Sequence, residues 1–267
     1  MQPTLEQPLA STALFDLHGR CIPGDHLQKP AFKNSRRYFR FQQPVIDFSV
    51  IYQRLVKHLT LNTDVTEAAF KSRVEAILNS LQSDAATAAL SQGAYVPFML
   101  PKQGLADVGE QLESVYLPAV KASFEQAYSD KTFTNHHKDD LTGKLSIAVG
   151  SRHERLLDAQ ADNVVVGVYF PALMEYSIPA AIEKVSQLPE RFLLAGGFDT
   201  AAAMVAAPDL LLRTDGYPPV LWMAALDSEK AGVNYMFEAY GYHLTFNRKP
   251  HFDQAAESWT SGLVVLG

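Results

Sequence analysis

The chain has one cysteine, Cys21, among its 267 residues. A single thiol excludes any disulfide within the chain and any multi-cysteine zinc or iron–sulfur site. It leaves a nucleophile or, more simply, a small semi-buried side chain after Arg20. Charge is scarce and one-sided. Only 19% of residues are charged, with 23 Lys and Arg against 29 Asp and Glu and a net charge of −6. Such a balance argues against a general nucleic-acid coat. No stretch approaches the ~20 apolar residues of a membrane helix. The first segment carries Glu6 and Asp16 where a signal peptide would have a basic start and an apolar block. The expectation is a cytoplasmic protein with neither membrane nor nucleic acid as partner. Enzyme signatures are missing too. There is no G-x-S-x-G elbow, no HExxH, no P-loop lysine and no complete G-x-G-x-x-G.

What is present supports a packed core. Hydrophobic residues make up 47% of the chain, too many for disorder. No repeat or low-complexity linker divides it, so one domain over 1–267 is expected. Residues 1–35 read as an irregular arm rich in Pro, Gly and Gln. Residues 35–42 read as a strand, which puts Arg36, Tyr38 and Arg40 on one face and Arg37, Phe39 and Phe41 on the other. The stretch 45–128 is mainly helical. Phe48, Ile51, Tyr52, Leu55, Val56 and Leu59 form one helix face, and Asp64 with Glu67 opens a second helix. Ser83 caps an Ala-rich third that stops at Gly93. A helical region at 105–128, starting at Leu105, contains Pro118, which should kink it or divide it into two helices. Residues 129–143 read as a polar loop.

Residues 143–267 read as a mixed sheet with helices. Strands are expected at 145–149, 164–170, 191–195, 219–226, 233–239, 241–247 and 262–266, and helices at 177–187 and from Asp199 or Thr200 to 212. The nearly unbroken apolar run Val164–Phe170 marks a central strand. The predicted class is α+β: an N-terminal helical block packed on a mixed, largely antiparallel sheet formed mainly by the C-terminal half.

Charge segregation gives the first candidate site. Residues 26–46 hold Lys29, Lys33, Arg36, Arg37 and Arg40 and no acid, so the rest of the chain is more acidic than its total. Guanidinium forks bind carboxylate or phosphate bidentately, and Arg36 and Arg40 on one strand face would hold a small anionic molecule. Interleaved Phe32, Tyr38, Phe39 and Phe41 would also suit single-stranded bases, against which the acidic remainder counts. The alternative is that these arginines pair with the chain's own carboxylates.

The loop Asn135-His136-His137-Lys138-Asp139-Asp140 gives a second. His137 and Asp139 leave an extended chain on the same side and, with a distant His, would form the two-histidine, one-carboxylate face of a mononuclear iron site. In that respect the stretch resembles the iron(II)/2-oxoglutarate dioxygenases. The resemblance covers a handful of residues. It implies His243 as the third metal ligand, with His251 as a substitute, and Arg248 as holder of a keto-acid carboxylate. It further implies Fe(II) with 2-oxoglutarate as co-substrate, and an oxygenase-like oxidoreductase. That family's core is a double-stranded β-helix, whereas this chain places helix-like segments between His137 and His243. The bland alternative is a solvated loop. His153, a further metal-ligand candidate, reads as part of an exposed helix start at Ser151–Arg155.

Gly196-Gly197, between a strand and a helix, suits an anion at a helix start, or simply a tight turn capped by Asp199. The aromatic-rich end holds Tyr217, Trp222, Tyr235, Phe237, Tyr240, Tyr242, Phe246 and Trp259. It reads as pocket lining, with Tyr240 contacting substrate, or as core. Two function classes follow. One is an enzyme acting on a small anionic molecule, with Arg36, Arg40, Arg248 and Tyr240 binding substrate and His137, Asp139 and His243 holding a metal. The other is a non-catalytic ligand-binding or protein-interaction protein, a homodimer among its forms.

Overall fold

The computed structural model describes residues 13–104, 107–137, 139–213, 216–240 and 243–267. Helix α1 (Phe48–His58) begins where the Asp47 carboxylate accepts the amides of Ser49 and Val50, and it buries Ile51 and Leu55. Helix α2 (Glu67–Gln82) is capped by Thr66 rather than Asp64, and buries Phe70, Val74, Ile77, Leu78 and Leu81. The Ala-rich segment is not an α-helix. Ser83 ends α2 instead of starting a new helix. The carbonyl and carboxylate of Asp84 then take the amides of residues 86–88, leaving a 3₁₀ turn at Ala88–Gln92.

Pro118 acts as expected. The helix α3 (Val108–Gln111) widens into a π turn at Leu112–Tyr116 before α4 (Leu117–Ala127) restarts with the proline in its first turn. Leu105 lies outside the described residues.

The strands are β1 (Val96–Leu100), β2 (Phe133–Asn135), β3 (Leu145–Ile147), β4 (Val165–Met174), β5 (Leu193–Leu194), β6 (Val220–Trp222), β7 (Leu226–Ser228), β8 (Val233–Tyr240), β9 (His243–Pro250) and β10 (Trp259–Leu266). Eight of them form one sheet. Seven lie in the order β1-β4-β10-β6-β8-β9-β2, with β5 beside β10, while β3 and β7 pair separately. Pairing is antiparallel except at β10–β6 and β2–β9. The expected central strand is β4, buried along nearly its whole length between β1 and β10. Three more helices complete the α+β fold: α5 (Glu154–Asp162), α6 (Ile178–Gln187) and α7 (Gly197–Ala206). Helix α7 packs on β1 and α4, α2 packs on β4, and one apolar core runs between them. No described helix is long and apolar enough to cross a membrane.

Several local expectations are corrected. The stretch 129–143 is not all loop. Residues Phe133–Asn135 add to the sheet edge by parallel pairing with Leu244–Phe246, a partner more than a hundred residues away. The expected strand 219–226 divides, because a turn closed by Leu226 N on Met223 O sends β6 and β7 to different sheets. Helix α7 stops at Ala206, two residues before Pro208, which disfavours a helical residue in front of it. Finally, 35–42 is not a regular strand: its one ladder contact is an isolated bridge from Phe39 to Tyr217, outside the named strands, and Arg37 sits at φ 54°.

Candidate anion-binding site

The N-terminal arm is fastened by one buried ion pair. Asp16 closes a turn by accepting the amides of His18 (2.8 Å) and Arg20 (3.1 Å). At the apex Gly19 has φ 74°, and an added Cβ would stand 2.7 Å from Gly93 Cα. The Arg20 side chain then turns inward. Its Nε donates to the Met174 carbonyl at 3.1 Å and lies 3.3 Å from Glu175 Oε2, and its Nη2 donates to the Phe32 carbonyl. Glu175 has φ 65°. Its carboxylate also accepts the Arg36 amide at 3.2 Å, and its carbonyl accepts the Phe32 amide. Arg20 and Glu175 thus hold both ends of the segment 32–36 against the end of β4.

That anchoring decides where the arginines point. Arg36 turns outward and pairs with Glu257 at 2.9 Å. The left-handed backbone at Arg37, whose amide bonds Ser35 Oγ at 3.1 Å, breaks the two-residue alternation. Arg37 and Arg40 consequently line the same cleft, whereas the sequence had paired Arg36 with Arg40. The cleft encloses about 200 Å³ and also presents Arg20, His18, Asp16 and Phe39. Asp16 is the one carboxylate among its described lining residues and is already bonded to two backbone amides. Within the basic stretch Arg36 pairs with Glu257 and Lys33 lies 3.9 Å from Asp25, in line with self-pairing, while Arg20, outside the stretch, has Glu175. The side chains of Arg37 and Arg40 have no hydrogen bond or ion pair with any described residue.

The proposed metal ligands are only partly brought together. His137 is 6% exposed and meets the Tyr235 ring edge-on at 5.2 Å. Burial, and next the Arg248 guanidinium, hold its imidazole below the usual histidine range. Asp139 is 3.7 Å from Arg248, which also reaches Glu229 at 3.4 Å and stands opposite Tyr235 in the β8–β9 ladder. His243 belongs elsewhere. Its Nδ1 is 2.7 Å from Thr132 Oγ1, at the opposite end of β9 from Arg248. Thr132 and His137 are five residues apart along the chain that carries β2, roughly 16 Å at ~3.3 Å per residue. The parallel β2–β9 register therefore separates the two imidazoles. Among the described residues no three His, Cys, Asp or Glu side chains are grouped to hold a metal ion. Lys138 lies outside them.

None of the remaining candidates lines that cleft. His251 is buried, accepts the Asp253 amide at 3.2 Å and meets the Trp222 ring edge-on. Tyr240 is 83% exposed opposite His243. Trp222, Tyr235, Phe237 and Phe246 belong to the core; Tyr242 lies outside the described residues. At Gly196-Gly197 the Asp199 carboxylate accepts the Gly196 and Thr200 amides and occupies the helix start. Its complete burial raises its pKa, opposed by His153 nearby. His153 is buried, not exposed, with Nδ1 3.1 Å from the Leu194 carbonyl.

The chain matches no protein-family model, no curated protein and no solved structure. Sequence reasoning missed Arg20 and Arg37 as cleft residues. The basic run contained Arg37, but its backbone sign was not written in the local pattern.

Proposed function

We propose that this protein binds a small anionic molecule, through a carboxylate or phosphate, in the cleft between the N-terminal arm and β4. The observation that carries the reading is the pair of guanidinium groups, Arg37 and Arg40, without partners among the described residues, over one cavity in an otherwise acidic chain. Guanidinium groups converging on an anion form charge-assisted, bidentate hydrogen bonds that neither lysine nor a neutral donor reproduces. Arg20 lies behind them, with its charge matched by Glu175, and acts as a positioning residue for the arm. Binding, rather than a particular reaction, is what this residue set supports.

Isothermal titration with inorganic pyrophosphate and with a tricarboxylate at low ionic strength tests the reading. Saturable binding to the parent protein is expected, weakened about ten-fold or more in Arg37→Ala/Arg40→Ala. No binding of either anion at millimolar concentration would remove the proposal.

A further inference from the structure

We propose that the anion bound by Arg37 and Arg40 carries a flat conjugated ring, as a nucleotide does, and that this ring stacks on Tyr38; the inference rests on the anion-binding reading above. The cavity is the first reason. At about 200 Å³ it is smaller than the ~300–1,000 Å³ of pockets that enclose a whole organic ligand. It has room for an anionic head group, and the rest of the ligand lies outside, along the cleft wall.

An aromatic cluster adjoins the cavity through Phe39. Phe39 lines the cavity, and its ring centroid is 5.2 Å from that of Tyr38 in an edge-on arrangement. Tyr38 is stacked on Tyr217 at 5.5 Å and 23°, and Phe39 leans on Tyr217 at 6.2 Å. Both tyrosines are 60% exposed. An exposed stack of this kind does little for the core, yet its position is held firmly. The Phe39–Tyr217 bridge joins the two backbones, and Arg213 donates to the Arg40 carbonyl. A preorganised ring beside a cationic cleft is the arrangement that takes a base face and a phosphate together. Tyr38 also lies between Arg37 and Arg40 in sequence, so one segment supplies both halves of the site. The net charge of −6 favours a mononucleotide-sized ligand over a polyanion, which needs an extended basic surface.

Titrations of the full chain with pyrophosphate, adenosine and adenosine diphosphate, repeated on Tyr38→Ala and Tyr38→Phe, test this. Adenosine diphosphate should bind about ten-fold more tightly than pyrophosphate, and adenosine alone weakly. In Tyr38→Ala the diphosphate nucleotide should fall to the affinity of pyrophosphate, and in Tyr38→Phe it should keep the advantage. Circular dichroism of both variants checks that the fold is intact. Equal affinities for pyrophosphate and adenosine diphosphate would overturn the inference while leaving the anion site standing. Failure of both to bind would remove the two together. A single-stranded oligonucleotide binding more tightly than the mononucleotide would also overturn it.

Discussion

Arg20 and Glu175 meet at 3.3 Å with side chains only 5% and 4% exposed, joining the N-terminal arm to the residue that follows the central strand. Their contact is electrostatic, since the Arg20 Nε proton goes to the Met174 carbonyl. Removing one partner strands a buried charge, which costs about 3–5 kcal/mol, whereas replacing both by apolar groups of similar volume costs far less. Glu175→Leu should therefore lower the denaturation midpoint markedly, and Arg20→Met/Glu175→Leu should recover much of the loss. Urea unfolding of the three proteins measures this. A Glu175→Leu midpoint equal to the parent's would show that the pair does not hold the arm.

Anion binding at Arg37 and Arg40 should be strongly salt-dependent. Both side chains are exposed, so their attraction for a ligand is screened as the Debye length shortens from ~10 Å at 0.1 M salt to ~3 Å at 1 M. The affinity for pyrophosphate should drop several-fold between about 50 and 500 mM sodium chloride. Titration across that range checks it, and an affinity indifferent to salt would point to a non-ionic mode.

Stability should fall as the solution is acidified below neutrality. Burial lowers the pKa of His58, His137 and His251. A histidine whose folded pKa lies below its unfolded value contributes stability above the unfolded pKa, near 6.5. That contribution is lost as pH falls toward the folded value, because the unfolded chain takes up the proton first. Thermal midpoints should decline between about pH 7 and 5. His137→Phe should make the decline shallower without lowering the midpoint at pH 7, since the imidazole Nε2 has no hydrogen-bond partner among the described residues. The same variant bears on the metal-site expectation, because a structural or catalytic metal at His137 would make it costly.

Gly262→Ala should be strongly destabilising. A Cβ there would fall 2.3 Å from the Tyr169 ring, and Tyr169 is fully buried in the central strand. Overpacking of such a core costs ~1–3 kcal/mol or more. Gly232→Ala makes a useful contrast. Its site is open but has φ 73°, so the cost there is backbone strain of about 1–2 kcal/mol. Melting of both variants separates the two causes.

The helix faces of α1 and α2, the buried run that became β4 and the division of the helical region before Pro118 were all legible along the chain. Each depends on neighbours within a turn or two and on a hydrophobic period. What failed was non-local or conformational. Nothing in Phe133-Thr134-Asn135 announces a strand, because its ladder is supplied by Leu244–Phe246. The metal triad met the same limit: H-x-D spacing relates one pair of side chains, whereas the register of β2 against β9 sets where His243 lies.

The sequence by itself determined the α+β class, the concentration of basic residues in one acidic chain and the identity of the core-facing side chains, since composition and periodicity act locally. Only the tertiary structure decided that Arg36 leaves for Glu257 while Arg37 and Arg40 converge. That choice turns on one left-handed residue, held in place by a buried ion pair whose members are 155 positions apart.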